Sequence, residues 1–268
     1  MTNQGPTQEQ KATDFRALHE GEAFIIPNPW DAGSAKVMEA LGFKALATTS
    51  SGLAFTLGRP DGTITFDEVI EHVGLLDRST SLPVSVDLEN GYGPLPEVAA
   101  AAIARAAEAG AVGGSIEDWD SEVGIYELAH AVERVAAAFE AARSLSFPFT
   151  FTARAENHIR GNSDLDDTIA RLQAYERAGA DVLYAPGLRN GAEIRAVCEA
   201  TNKPVNVLAH KGLTMSEIAD AGARRVSVGG ELTWVGVDAV SAAAERMRNE
   251  GDFSVLGGPG RIKEWLGG

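Results

Sequence analysis

The sequence has one cysteine, Cys198, so no intrachain disulfide can form, which suits a reducing compartment. No stretch approaches the roughly 18 consecutive apolar residues of a membrane span. The opening MTNQGPTQEQKATDF is polar where a signal peptide would be apolar. The expectation is a cytoplasmic protein with no membrane partner. Basic residues are scarce: 23 Lys and Arg stand against 38 Asp and Glu, a formal net charge of −15. Such a surface repels nucleic acid and anionic lipid, so neither is expected as a partner. It also sets a requirement, because an anionic substrate then needs a metal ion, an arginine or backbone N–H groups to hold it. A Gly-rich phosphate turn is missing too. PNPWDAGSA follows the first strand-like run, which argues against an open doubly wound sheet.

What is present is an alternation of short β-rich runs with helical patterns. Strands are expected near 24–27, 45–49, 84–89, 114–118, 149–154, 182–185, 205–209 and 225–228. Amphipathic or Ala-rich segments lie between them, at 34–41, 66–77, 96–109, 126–142, 166–178, 193–200, 215–221 and 235–249. Eight strands, each followed by a helix, predict a single-domain α/β fold, the (β/α)₈ TIM-type barrel, and 268 residues suit one such barrel. Leu41–Gly42 and the Ala-Gly-Ala runs at 109–111, 178–180 and 221–223 read as glycine-terminated helix ends. Residues 1–14 are expected to be a mobile or loosely docked arm, 15–250 the barrel, and 251–268 a short C-terminal helical tail. Trp265 and Leu266 in that tail need a place to bury, and a partner subunit would provide one.

Active sites of such barrels lie at the C-terminal ends of the strands. Acidic residues fall there on adjacent strands: Asp87 and Glu89 from PVSVDLENGYG, Glu117 and Asp118 from GGSIEDWD, and Glu156 from FTFTARAEN, with Asp87, Glu89 and Glu117 as the candidate metal set. Residues two apart on a strand point the same way, so Asp87 and Glu89 can face one point. Clustered carboxylates repel unless a positive charge sits among them, and no lysine or histidine adjoins these three in sequence. An all-oxygen donor set with retained waters describes Mg²⁺ better than Zn²⁺, with Mn²⁺ as the alternative metal. The competing reading makes these acids helix caps or partners of arginines across the mouth. Arg154, which ends the fifth strand in FTFTARAEN, can grip a carboxylate bidentately or serve as a structural ion pair with Glu156 or Glu117. Ser51, Gly52 and Leu53 can offer backbone N–H groups to an anion or form an ordinary turn. Trp30 can wall the pocket or pack behind it. His210 ends the seventh strand and can act as a general acid–base group; His158 is a weaker candidate.

The ordered motifs NPWDAGSAKVMEALGFKALATTSSGLA, GRPDG, VDLENGYG, SIED, TARAEN, GADVLYAPG and PVNV span about residues 24–228. In that order they resemble the isocitrate lyase/phosphoenolpyruvate mutase superfamily. The resemblance implies a barrel, bound Mg²⁺ and chemistry through an enolate of a 2-oxo acid. It also implies a homo-oligomer, a dimer of dimers (homotetramer) with exchanged C-terminal helices. Residue by residue, it places Asp61 of GRPDG at the mouth, Asp87 as principal metal anchor, and Glu89 where many members have a second aspartate. Glu117 matches the metal-shell glutamate, Arg154 the substrate-binding arginine, and Ser51–Leu53 the backbone cradle for the substrate carboxylate.

Two departures stand out. Carbon–carbon lyases of the superfamily carry a cysteine-bearing loop of the type Lys-Arg/Lys-Cys-Gly-His after strand four. Here WDSEVGIYELAH is shorter and has neither cysteine nor lysine. The mutase's lysine- and asparagine-bearing loop is absent as well, and Pro186 stands where the mutase has histidine and methylisocitrate lyase has glutamate. The expected function is therefore a Mg²⁺-dependent lyase-type enzyme for a small 2-oxo or 2-hydroxy acid. Two alternatives remain: a phosphonopyruvate P–C bond enzyme, mutase or hydrolase, and a non-catalytic 2-oxo acid binding barrel.

Overall fold

The structure is a computed structural model and describes residues 5–258 and 260–266. The chain begins with α1 (Gln8–Leu18), β1 (Phe24–Ile26), α2 (Ala32–Ala40), β2 (Leu46–Ala47), α3 (Ser50–Thr56) and α4 (Phe66–Ser79). There follow β3 (Val84–Asp87), α5 (Pro96–Glu108), β4 (Gly113–Glu117) and a hairpin of β5 (Trp119–Asp120) and β6 (Gly124–Ile125). The second half runs α6 (Leu128–Arg143), β7 (Thr150–Arg154), α7 (Leu165–Arg177), β8 (Val182–Tyr184), α8 (Gly191–Ala200) and β9 (Val205–Leu208). It ends with α9 (Met215–Asp220), β10 (Arg225–Ser227), α10 (Glu231–Glu250) and α11 (Ile262–Trp265).

Eight strands form one parallel sheet in the order β1-β10-β9-β8-β7-β4-β3-β2, and the hairpin β5–β6 stands apart. The ring closes between β1 and β2, where the Ala47 N–H donates to the Pro27 carbonyl at 3.0 Å. Asn28 ties the same seam: its Nδ2 donates to the Thr48 carbonyl and its Oδ1 accepts the N–H groups of Val228 and Gly229. The fold is the (β/α)₈ barrel.

Local chemistry explains the helix boundaries. Reciprocal capping boxes open α1 at Thr7/Gln10, α4 at Thr65/Glu68 and α9 at Thr214/Glu217. At the other end, Gly110 (φ 113°) and Gly179 (φ 108°) make the left-handed turns into β4 and β8. A Cβ on Gly179 would lie 2.5 Å from the Phe139 ring, so close packing requires glycine there as much as conformation does.

One expectation about the ends needs correction. Residues 8–14 are not a mobile arm but most of α1, which seals the bottom of the barrel. Ala12 and Phe15 are fully buried, and the buried Lys11 ammonium pairs with Asp77 at 2.9 Å. Phe15 fits a hollow left by Gly113, whose added Cβ would meet the Phe15 ring at 2.6 Å. Residues 1–4 lie outside the described residues. At the other end, α11 packs against α2 of its own chain. The 20-residue α10 has one buried residue, Thr233, and exposes Trp234, Val235 and Val240.

Candidate active site

Every barrel strand ends at one mouth, and a cavity of about 430 Å³ opens there. Its walls include Thr48, Ser50, Ser51, Asp61, Asp87, Arg154, Glu156, Arg160, Tyr184, Pro186 and Trp234. Arg154, at the end of β7, organises the mouth. Its Nη1 donates to Asp87 Oδ1 at 2.8 Å, and its Nη2 lies 2.9 Å from both Glu117 Oε2 and Glu156 Oε1. Arg160, in the turn that follows β7, adds longer contacts to Glu117 (3.6 Å) and Glu156 (3.5 Å). Its guanidinium also stacks on the Trp119 ring at 3.5 Å. The Arg154 guanidinium is held well above its already high range by Glu117, Glu156 and Asp87, against the opposing pull of burial.

Asp87 is aimed by its neighbours. Its N–H donates to Thr48 Oγ1 at 2.9 Å, and Ser50 Oγ reaches its Oδ2 at 3.4 Å. Glu89 arrives by a different route from the alternation argument. Strand β3 stops at Asp87, and Glu89 takes the left-handed conformation (φ 48°), with its N–H on Asp87 Oδ1 at 3.2 Å. The turn still brings the two acids together. Burial, then the charges of Asp87 and Asp61, push the Glu89 carboxyl up to about 7. Glu117 is 6% exposed and is raised well above the usual carboxylate range, chiefly by burial.

Five carboxylates therefore face two guanidiniums at this mouth: Asp61, Asp87, Glu89, Glu117 and Glu156 against Arg154 and Arg160. The Oε1 atom of Glu89 is buried with no hydrogen-bond partner. A hard divalent cation fits that orphaned oxygen and the all-oxygen set around it. Among the described residues no three His, Cys, Asp or Glu side chains close into a direct ligand cluster. A cation that keeps several waters and touches one or two carboxylates matches that spacing. Asp87, Glu89 and Glu117 are the residues that would hold it.

The remaining candidates separate. Ser51 and Asp61 line the cavity, and Asp61 stays exposed on its loop. Gly52 and Leu53 are buried in α3 behind it. A Cβ on Gly52 would meet Thr49 at 2.6 Å, Thr233 at 2.8 Å and Trp30 at 3.0 Å, so glycine here serves packing. Trp30 does not wall the cavity. It lies behind Gly52 and near Gly236 of α10, and Trp234 takes the wall position instead. His210 is also outside the cavity. It is exposed and lines a neighbouring pocket with His158 and Arg189. Both its nitrogens are engaged, Nε2 with the Arg189 carbonyl at 3.1 Å and Nδ1 accepting the Gly212 N–H at 3.1 Å.

Asp118 was expected at the mouth beside Glu117 and is instead buried and turned away, accepting from the Glu156 N–H (2.8 Å), Arg171 (3.0 Å) and the Tyr175 hydroxyl and fixing the backbone under Glu156. Sequence reading passed over several residues. Ser85, Ser115, Asn206, Arg225 and Ser227 line the lower part of the cavity. Their signal was in the strands: VSVD, GGSIE, PVNVL and RRVSV carry a polar residue at alternate positions. In a ring wrapped by helices, one of the two alternating faces points inward.

Comparison with known proteins agrees with this geometry. A crystal structure from Burkholderia cenocepacia J2315, provisionally assigned as a lyase/mutase, superposes with a TM-score of 0.94. The two share 51% identity over 97% of each chain. An oxaloacetate decarboxylase of Bradyrhizobium diazoefficiens is 33% identical over 201 residues, 71% of this chain and 68% of the relative. A 2-methylisocitrate lyase of Halalkalibacterium halodurans is 31% identical over 211 residues, 76% of this chain and 69% of the relative. The profile of the phosphoenolpyruvate phosphomutase family matches residues 15–248, so the barrel and its acidic, arginine-centred mouth belong to a member of that family.

Proposed function

We infer that the protein is a lyase-type enzyme for a small 2-oxo or 2-hydroxy acid, and we propose decarboxylation of a C4-size 2-oxo di-acid as its reaction. The observation that carries this reading is the buried, unpartnered Glu89 oxygen beside Asp87 in a mouth where carboxylates outnumber guanidiniums. Asp87, Glu89 and Glu117 would hold Mg²⁺ or Mn²⁺. The cation would act as a Lewis acid toward the substrate oxygen that gains charge. Thr48 holds the Asp87 backbone N–H, and Ser50 donates to the Asp87 carboxylate. Arg154, clamped by three carboxylates, holds their positions and its own N–H directions fixed, so the mouth needs no rearrangement as negative charge develops. Ser51 and Asp61 border the same space.

The hairpin β5–β6 favours decarboxylation among lyase reactions. No residue of 119–125 lines the cavity, and Asp120 is committed to Asn90, Tyr126 and the N–H of Glu122. No acid on this hairpin reaches a leaving group. Carbon dioxide departs without needing a proton, and the enolate left behind can be protonated by water. The similarity to an oxaloacetate decarboxylase supports the same choice.

The test is turnover of purified protein with Mg²⁺ on oxaloacetate, 2-methylisocitrate, 2,3-dimethylmalate and phosphonopyruvate. The expected result is pyruvate and carbon dioxide from oxaloacetate. A phosphorus NMR change with phosphonopyruvate would establish the P–C bond reading instead. A Mg²⁺-dependent rise in melting temperature with a 2-oxo acid, and no product from any of the four, would establish a binding barrel.

The quaternary reading is a dimer of dimers. The exposed apolar residues of α10, Trp234, Val235 and Val240, support burial against other subunits. Light scattering of the protein in solution tests it, and a monomeric mass removes it. No helix among the described residues is long and apolar enough to cross a membrane.

A further inference from the structure

Below the acidic mouth the barrel interior is polar and carries an arginine with the opposite problem. Arg225, at the start of β10, is 5% exposed. Its Nε donates to Asn206 Oδ1 at 2.9 Å, its Nη2 to Thr152 Oγ1 at 3.0 Å, and its Nη1 to His19 Nε2 at 3.3 Å. All three acceptors are neutral. His19 Nδ1 donates to the Phe15 carbonyl at 2.9 Å, which leaves Nε2 as an acceptor, and burial and Arg225 push its imidazole down to about 3. Among the described residues no carboxylate lies within ion-pairing distance of Arg225. Burial pushes even this guanidinium down to about 10. A buried cation without a counter-charge is unfavourable by several kcal/mol.

Arg225 lines the same cavity as Asp87 and Arg154, together with Asn206, Ser227 and Tyr184. The other two arginines of the cavity are already neutralised, Arg154 by three carboxylates and Arg160 by two. A guanidinium has five N–H donors, and Arg225 uses three, so two remain. The cavity is thus acidic at the mouth and cationic at the floor.

We propose that Arg225 is the anion anchor of this cavity, receiving one carboxylate of a small di-acid at the floor while the 2-oxo end of the ligand stays at the Asp87–Arg154 mouth. The identity of the ligand rests on the proposed function, but the anchor itself requires no metal. Asn206 and Thr152 hold the guanidinium flat, and His19 backs it from below without competing for charge. A di-acid of four carbons is small enough for a cavity of about 430 Å³. On this arrangement one fixed charge would favour a di-acid over a mono-acid.

The experiment uses the full chain in EDTA, with propionate as the probe and neutral propionamide as the control. Calorimetry and thermal melts are expected to show propionate binding and a raised melting temperature in wild type, with no response to propionamide. In Arg225→Met the propionate affinity falls at least tenfold, and Arg225→Lys retains part of it. Should Arg225→Met fail to fold, Thr152→Asp answers the same question. That change places a carboxylate at the Arg225 guanidinium, raises the melting temperature without ligand and removes the propionate response. A folded Arg225→Met or Thr152→Asp protein that binds propionate as wild type does would overturn the proposal, as would a wild type that does not distinguish propionate from propionamide. Absence of turnover would sink the decarboxylase reading and leave these metal-free measurements intact.

Discussion

The mouth and the floor of the barrel are built from the same strands and carry opposite electrostatic imbalances. At the mouth, Asp87, Glu89, Glu117, Glu156 and Asp61 surround two guanidiniums, and one carboxylate oxygen of Glu89 has no partner. At the floor, Arg225 has three neutral acceptors and no carboxylate. Below the floor, Phe15 and Ala12 close the barrel with apolar packing. Neither imbalance stabilises the ligand-free chain, since buried charge without a counter-charge opposes folding. Both are relieved by a cation at the mouth and an anion below it. The difference between the two ends is therefore a description of the ligand, whereas the apolar base describes only the fold.

The comparison breaks most severely at Asp87. Asp87→Ala should lower Mg²⁺-dependent turnover by at least 10³-fold, a loss of about 4 kcal/mol in transition-state stabilisation, and abolish Mg²⁺-dependent ligand binding. The melting temperature should hardly move, because Arg154 keeps Glu117 and Glu156 and Glu89 loses a repelling neighbour. Kinetics, calorimetry and thermal melts together check this. A variant that melts far earlier yet still binds ligand with Mg²⁺ would make Asp87 a structural acid.

The base should behave the other way round, with large stability effects and small functional ones. Phe15→Ala removes a fully buried ring and is expected to cost about 3–5 kcal/mol in denaturant unfolding. Gly113→Ala forces a methyl against that ring and against the Thr150 carbonyl, and is expected to cost about 1–3 kcal/mol. Combining Gly113→Ala with Phe15→Leu should recover part of that loss. Simple additivity of the two would show that ring and glycine are not paired.

A smaller effect sharpens the contrast through pH. His19 is pushed down to about 3 by burial and by Arg225, against an ordinary value of 6.5. Between those values the unfolded chain binds a proton that the folded chain does not. The stability linked to His19 is thus full above pH 6.5 and falls as pH drops, by about 2 kcal/mol at pH 5. His72, pushed down to about 4 by burial, adds a similar loss. Denaturant titrations at pH 7.5, 6 and 5 should show the decline, and His19→Gln should flatten its share. Parallel declines in both proteins would remove His19 as a source.

The smallest effect expected is at His210. It lies outside the main cavity with both ring nitrogens engaged locally, so His210→Gln should leave turnover within about threefold of wild type, under 1 kcal/mol. A loss of 100-fold would return it to the chemistry.

Much of this architecture was legible from alternation. Helix and strand periods, glycine stops and the order of motifs located eight strands and their open end. Asp87, Glu117 and Arg154 followed from strand ends alone. What failed did so for local reasons. The two-residue period placed Glu89 on a strand, but β3 ends two residues earlier and a left-handed turn delivers the side chain instead. The α1 helix buries only one short face, which a polar sequence conceals. Trp30 and His210 sit beside the mouth in sequence, but their side chains lie behind or outside the cavity, and strand-end logic cannot tell these placements apart. Arg225 was hidden in the doublet Arg224–Arg225. Its register with Ser227 marks it as the inward member, whereas Arg224 faces solvent.

The seam at Asn28 has a consequence for how the chain is made. Its carboxamide accepts hydrogen bonds from Val228 and Gly229, and the neighbouring strand β1 pairs with β10, residue 24 with residue 225. During synthesis the segment that begins the ring must wait for the segment that completes it, some 200 positions later. At roughly 5–20 residues per second that interval is on the order of 10–40 s. Through it, β1 lacks its β10 partner. The nascent chain thus carries an unpaired strand edge until residues 225–229 have been made, an edge open to a chaperone or to a second nascent copy.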